Sequence, residues 1–131
     1  MGFDVYGFEP SLESQHPAIF TSIEDVARNG PYDGIFTHNF IEHVQDPFAF
    51  FSQIRDLSMP GAKVAHSSAC YDYRYEKSPF HLYFLSHTAL EMIGSVSGHT
   101  ILNRRDYDLD VPGQEVTIYT FVVDQALVQE I

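Results

Sequence analysis

The sequence predicts an α/β fold in which a mostly parallel sheet ends in an antiparallel C-terminal strand. Two observations support this prediction. Short apolar runs of strand length alternate with segments of helical spacing along the chain. The strongest β run, Val116 to Val123, follows a turn signal at 110–113, so it should pair antiparallel with the strand before that turn, 100–103.

One stretch, Tyr32 to Gly61, places polar side chains where a strand should end. The apolar run Gly34 to Thr37 has the length of one buried strand. Several polar residues then follow: His38, Asn39, Glu42 and His43. Because ligands of open α/β sheets bind beyond the carboxyl ends of the strands, these residues are the best candidate site.

The same stretch continues into a helix with clear boundaries. Asp46 can cap free backbone N–H groups, Pro47 fits the first helical position, and 60–61 (Pro-Gly) should end the helix. The predicted apolar face consists of Phe48, Phe50, Phe51, Ile54 and Leu57.

The N-terminal part is predicted to contain two strands, at 3–8 and 18–21, joined by a short polar connection and followed by a loop at 28–31. Glu9 and Pro10 stand where the first strand should stop. A carboxylate in that position can accept hydrogen bonds from both hydroxyls of a nucleotide ribose. The alternative is a solvated acid in a turn.

The C-terminal part adds three predicted features. A strand at 63–67 leads into an irregular, tyrosine-rich segment at 68–79, which is either a substrate lid or a surface loop that packs through its tyrosines. Ser86 should cap a helix that Gly98 ends, and its apolar face should contain Leu90, Ile93 and Val96.

Composition limits the class of protein. The chain of 131 residues is predicted to form a single domain, and its net charge of -11 argues against nucleic acid or an anionic membrane as the main partner. A single Cys70, the lack of a long apolar run and the lack of a signal-peptide pattern predict a soluble, cytoplasmic protein.

Four segments resemble class I S-adenosylmethionine-dependent methyltransferases of the small-molecule type, similar to the ubiquinone-biosynthesis O-methyltransferases. Segment 7–11 (GFEPS) resembles the acidic end of the family's second strand. The second segment, 32–47, contains YDGIF at 32–36 and IEHVQDP at 41–47, which together resemble the family's F-D-x-I…L-E-H-V-x-D-P signature. The remaining two motifs are 59–63 (MPGAK), which resembles the K-P-G-G turn, and 81–90, which resembles the H-x-x-F-x-S…L entry to the last helix.

The resemblance implies a Rossmann-like methyltransferase fold that lacks the first strand and the glycine-rich loop, so that residues 1–131 correspond to the C-terminal two-thirds of such a domain. Two strands would then have unpaired edges. We expect the chain to pair these strands with each other, to pair them with another chain as a possible homodimer, or to be loosely folded.

The resemblance also implies a cofactor, S-adenosyl-L-methionine, and residues that bind it. Glu9, with Pro10 beside it, would hold the ribose hydroxyls. Ser22 and Ile23 would lie near the adenine, where Glu24 could substitute for Ser22. The sulfonium end of the cofactor would be lined by Thr37, His38 and Asn39.

His43 and His81 are the candidate catalytic bases, although either could instead be a buried histidine that bonds a backbone carbonyl. Ubiquinone-type relatives can bind a divalent metal through E-x-x-E-H, but Asn39 replaces the first carboxylate here, so no metal site is predicted. The expected partner is a small-molecule methyl acceptor. Two alternatives stay open: a degenerate, non-catalytic domain that acts as a binding or dimerisation module, and another nucleotide-binding α/β enzyme such as a dehydrogenase.

Overall fold

The computed structural model describes residues 2–11, 13, 16–68, 82, 85–108 and 115–124, without the side chains of 107, 108, 115 and 116. The chain divides into two compact units, Met1–Pro31 and Tyr32–Ile131. The single domain predicted for residues 1–131 stays a prediction.

The first unit contains a two-stranded parallel sheet and a short helix. Strand β1 (Gly7–Phe8) pairs with β2 (Ile19–Phe20), and helix α1 (Ile23–Asn29) follows. The predicted strand at 3–8 is therefore shorter than expected. Helix α1 was not predicted, because none of its seven residues is buried and it lacks the apolar stripe that indicates a helix.

The second unit contains a four-stranded sheet covered by two helices. Its strands are β3 (Tyr32–His38), β4 (Ser58–Ser68), β5 (His99–Asp108) and β6 (Glu115–Val123), and their spatial order is β3-β4-β6-β5. The pair β3–β4 is parallel, whereas β4–β6 and β5–β6 are antiparallel. The predicted α/β class and the antiparallel C-terminal strand are confirmed.

Helices α2 (Pro47–Leu57) and α3 (His87–Ser97) begin where the sequence predicts. The Asp46 side chain accepts a hydrogen bond from the Ala49 N–H, and Ser86 does the same for Ala89. Gly98 ends α3 with φ 75°, a left-handed conformation that glycine adopts without steric cost. Helix α2 ends earlier than predicted, because β4 already begins at Ser58 and runs through 60–61.

The core lies between the helices and one face of the sheet. Helix α2 buries three of its five predicted apolar residues, and Phe48 is an exception at 42% exposure. The main buried cluster consists of Ile41, Phe51, Leu85, Leu90, Ile93, Tyr119 and Phe121. A smaller cluster consists of Ile54, Val64 and Val123.

Gly94 allows α3 to approach β5 closely. A Cβ atom on Gly94 would lie 2.5 Å from the carbonyl oxygen of His99, which is closer than real Cβ contacts allow. We expect Gly94→Ala to destabilise the chain by about 1–3 kcal/mol in urea unfolding, although alanine favours helix more than glycine does. Ser95→Ala on the same helix is the control. A Gly94→Ala variant as stable as the control would contradict this packing.

Candidate functional site

Glu9 lies directly after β1, as predicted, and its carboxylate is held in one orientation. Its backbone N–H donates to the Phe20 carbonyl at 3.0 Å, which continues the β1–β2 ladder. Its Oε1 accepts hydrogen bonds from the Ser11 hydroxyl at 2.5 Å and from the Ser11 N–H at 3.0 Å. These two bonds lower the pKa of the Glu9 carboxyl. Among the described residues Oε2 has no hydrogen-bond partner, so it is available to a ligand.

Ser11 is a residue whose role the sequence did not indicate. It was recognised as part of the GFEPS segment, but nothing in that segment predicted that its side chain would orient Glu9. Pro10, between them, is exposed in a turn. The only signal in the sequence was the short spacing, which lets a hydroxyl two residues after the acid reach its carboxylate.

Ser22 and Ile23 lie at the start of α1. Ser22 is the N-cap: its hydroxyl accepts from the Asp25 N–H at 3.2 Å and donates to Asp25 Oδ2 at 2.9 Å. The hydroxyl proton is therefore engaged, and one acceptor lone pair stays open. Ile23 is half-buried and Glu24 is exposed.

Side chains at the carboxyl end of β3 form hydrogen bonds with side chains at the carboxyl end of β4. Thr37 Oγ1 lies 2.6 Å from His66 Nδ1, and His38 Nδ1 lies 2.6 Å from Ser67 Oγ. The Asn39 N–H donates to the Ser67 carbonyl at 2.8 Å, and Asn39 has a positive φ of 47°. Asparagine tolerates this conformation better than most residues, which explains its place where β3 turns away from the sheet.

The polar pair Thr37–His66 belongs to a row that crosses the whole sheet. Register places Thr37 opposite His66, His66 opposite Tyr119, and Tyr119 opposite Arg104. Arg104 Nη1 donates to the Tyr119 hydroxyl at 3.1 Å. The row two residues nearer the strand interiors is apolar and consists of Ile35, Val64, Phe121 and Ile101. The helix-covered face thus changes from apolar to polar toward the carboxyl end of β3.

A β-bulge brings Arg104 into that polar row. The register of β5 shifts between Ile101 and Asn103, so Leu102 is the extra residue. Without this extra residue, strict alternation would put Arg104 on the opposite face from Ile101. No pattern in the sequence indicates the bulge, and neither His66 nor Arg104 was predicted to belong to the site.

His66 is a neutral, fully buried member of the site. Burial, together with a smaller effect of the nearby His99, lowers its pKa to about 3. Its ring packs against Phe51, with centroids 5.1 Å apart, and against Phe121 at 5.8 Å. At neutral pH the imidazole is therefore uncharged when it forms its hydrogen bond with Thr37.

Glu42 and His43 lie on a short 3-10 helix, Ile41–His43, after β3. The His43 side chain is exposed, so the buried alternative considered for this candidate base is wrong. Glu42 is only 2% exposed, and its Oε2 has no hydrogen-bond partner within the described ranges. In the described part of the chain, no three side chains of the types His, Cys, Asp and Glu come together to hold a metal.

His81 and most of the tyrosine-rich segment, 69–79, lie outside the described residues. The predicted lid and the second candidate base therefore stay predictions. The backbone of Leu82 is described, and its N–H donates to the Glu42 carbonyl at 3.0 Å. None of the helices in the described ranges is long and apolar enough to cross a membrane.

Solved structures share this fold. The 1,6-didemethyltoxoflavin-N1-methyltransferase of Burkholderia thailandensis, solved with S-adenosylhomocysteine, matches with a TM-score of 0.61 and 12% identity over 82% of this chain and 51% of that one. Magnesium protoporphyrin IX methyltransferase from Synechocystis PCC 6803, solved with S-adenosylmethionine, matches with a TM-score of 0.57 and 16% identity over 86% and 48%. The N-methyltransferase NodS from Bradyrhizobium japonicum matches with a TM-score of 0.56 and 11% identity over 85% and 63%. The chain thus spans about half to under two-thirds of the length of these proteins.

The fold is therefore the Rossmann-like α/β fold of class I methyltransferases. A family model described as a methyltransferase domain matches residues 1–109, and the chain belongs to this family. The resemblance to the family is confirmed, whereas the similarity to the ubiquinone-type subgroup stays a prediction. No protein of curated function matches the chain in a sequence search.

Proposed function

We propose that this chain takes part in S-adenosylmethionine-dependent methyl transfer to a small molecule. Its membership of the methyltransferase family supports the proposal, and so do the similar structures solved with S-adenosylmethionine or S-adenosylhomocysteine. The observation that carries it is Glu9, an ionised carboxylate at the end of β1 with Oε1 fixed by Ser11 and Oε2 open. The family match favours this reading over a non-catalytic binding module.

Each candidate residue has a role in the proposal. Glu9 Oε2 accepts from the ribose hydroxyls, with Pro10 beside it, because a charged acceptor forms the stronger hydrogen bond. The open lone pair of Ser22 accepts from the adenine amino group, and Ile23 contributes apolar contact. Thr37, His38 and Asn39 line the sulfonium end of the cofactor.

The bound cofactor supplies an electrophilic methyl group, and the protein mainly has to position the acceptor in line with it. His38 and Thr37 suit that task because their bonds to Ser67 and His66 fix their rotamers. We propose that the exposed His43 accepts the proton that the acceptor loses, and that His81 is the second candidate for this role.

We also propose a partner and a location for this chain. The acceptor is a small molecule of unspecified class, and the chain acts as a single domain, soluble in the cytoplasm. A homodimer through exposed strand edges is also part of the proposal.

Binding of S-adenosylhomocysteine tests the role of Glu9. We expect isothermal titration to give saturable binding by the chain, and Glu9→Gln to weaken it about tenfold or more, because a charge-assisted hydrogen bond contributes about 1.5–3 kcal/mol. Ser11→Ala should weaken binding less, since it only loosens the orientation of the carboxylate.

Glu91→Gln is the matched control, because Glu91 is an exposed carboxylate on α3 that bonds His87. It should bind as the unchanged chain does. Equal affinities for Glu9→Gln and Glu91→Gln would remove Glu9 from the cofactor site. Absence of binding to a chain with a cooperative unfolding transition would reject the proposed function for these residues.

A further inference from the structure

Glu42 is a buried carboxylate to which the proposed mechanism gives no role. It is only 2% exposed, and among the described residues its Oε2 has no hydrogen-bond partner. None of the ion pairs in the described part of the chain includes Glu42. Native proteins pair a buried carboxylate with a cation or with hydrogen-bond donors, because an uncompensated buried charge is costly. The orphaned oxygen therefore indicates a ligand.

The turn that carries Glu42 is fixed by contacts within the second unit. Its neighbour Ile41 is 1% exposed and belongs to the main buried cluster. The Glu42 carbonyl accepts a hydrogen bond from the Leu82 N–H at 3.0 Å, and the His43 N–H donates to the Phe40 carbonyl at 3.0 Å. None of these anchors lies in the first unit, so the second unit alone determines the position of the Glu42 backbone.

Glu42 lies close to the strand end that we propose for the sulfonium. It follows Asn39 by three positions, so their Cα atoms are at most about 11 Å apart. Asn39 is itself tied to the end of β4, because its N–H donates to the Ser67 carbonyl at 2.8 Å. A glutamate side chain at this distance can reach a group that a short carbon chain connects to the sulfur. In S-adenosylmethionine, the primary ammonium of the methionine part is such a group.

The surroundings of Glu42 favour an ammonium group over a metal ion. A metal ion needs several protein ligands, and no three side chains of the types His, Cys, Asp and Glu come together in the described ranges. A primary ammonium needs one carboxylate for its charge, and neutral oxygens can accept its other N–H bonds. A single buried carboxylate therefore fits an ammonium.

We propose that Glu42 binds the primary ammonium group of the methionine part of the cofactor. This role rests on the proposed function, because it needs S-adenosylmethionine at the end of β3. A charge-assisted hydrogen bond from the ammonium gives Oε2 its missing partner. The ligand has to displace packed atoms to reach this side chain, and the pairing of two charges compensates for that loss. Holding the methionine part in this way fixes the direction in which the sulfonium presents its methyl group.

Two ligands that differ in the ammonium group test this role by isothermal titration. S-adenosylhomocysteine contains the group, whereas 5′-methylthioadenosine has the same nucleoside and sulfur but lacks the amino acid part. We expect Glu42→Gln to weaken binding of S-adenosylhomocysteine about tenfold or more, because a charge-assisted hydrogen bond is lost. Its affinity for 5′-methylthioadenosine should change by less than about twofold. Glu91→Gln, which changes an exposed carboxylate, should alter neither affinity.

Stability without ligand separates a binding role from a structural one. Urea unfolding should find Glu42→Gln at least as stable as the unchanged chain, because glutamine keeps the volume and removes a buried carboxylate. With S-adenosylhomocysteine present the unchanged chain should become the more stable of the two, since it binds the ligand more tightly. A Glu42→Gln chain that is clearly less stable without ligand, or that does not fold, would make Glu42 a structural residue and overturn the proposed role.

Two titration results would also overturn it, namely equal weakening of both ligands and an unchanged affinity of Glu42→Gln for S-adenosylhomocysteine. The second result is the one expected if an amine of the methyl acceptor, rather than the cofactor, pairs with Glu42. Failure of the proposed function gives a different result. The unchanged chain then binds neither ligand although it unfolds cooperatively, and the role of Glu42 is rejected with it.

Discussion

Acidification should destabilise this chain steeply, by about 1.4 kcal/mol per pH unit for each of His66 and His99 as the pH falls below 6.5. Burial lowers the pKa of His66 to about 3 and that of His99 to about 4. Both folded values lie below the unfolded one, so the unfolded chain binds more protons. Above pH 6.5 both neutral histidines contribute their full stabilisation to the folded chain. This stabilisation is lost as the pH falls toward the folded pKa values of about 3 and about 4, and by pH 4 the loss is about 3 kcal/mol for each histidine.

Urea unfolding across this pH range measures the effect. His66→Asn places a side-chain amide near the position of Nδ1, and it should make the dependence of the free energy of unfolding on pH clearly flatter. His99→Asn should do the same independently. His16→Asn changes an exposed imidazole and should preserve the slope. If all three variants unfold with the slope of the unchanged chain, the histidines are not the cause.

Phe51→Ala should be the most destabilising single substitution in α2, by about 3–5 kcal/mol. Phe51 is fully buried, and its ring packs against both buried histidines, with centroids 5.1 Å from His66 and 5.0 Å from His99. It also packs edge-on against Phe121 at 5.4 Å. Removing the ring leaves a cavity in the centre of the core that these rigid neighbours cannot close.

Phe48→Ala is the matched control on the same helix. Phe48 is 42% exposed, so its truncation should cost about 1 kcal/mol or less in urea unfolding. Equal losses for the two variants would mean that α2 does not pack by the face described. Phe51→Leu, which keeps most of the volume, should recover a large part of the stability.

Local signals explain the parts of the fold that the sequence predicted well. The caps Asp46 and Ser86 and the terminator Gly98 act within three or four residues of their own position, so their role does not depend on the rest of the chain. The position of Glu9 after a strand was also predicted from its immediate neighbours. In contrast, the short α1 carries no buried residue, so its sequence lacked the periodic signal that reveals longer helices.

The site was predicted only in part, for a different reason. Thr37, His38 and Asn39 were placed correctly at a strand end, but their partners His66 and Ser67 stand 29 residues away in sequence. Strand register determines such pairs, and a shift of one residue would turn each of these side chains to the other face.

The amino-acid sequence by itself determined the α/β class, the starts of α2 and α3, the end of α3 and the acid at the end of β1, because short-range sterics and hydrogen bonds encode them. Tertiary structure decided that β6 lies between β4 and β5, and that a bulge turns Arg104 toward Tyr119. It also decided that two histidines are neutral, since only burial far from water gives an imidazole a pKa of about 3 or 4. These properties arise from contacts between distant segments, which no local pattern contains.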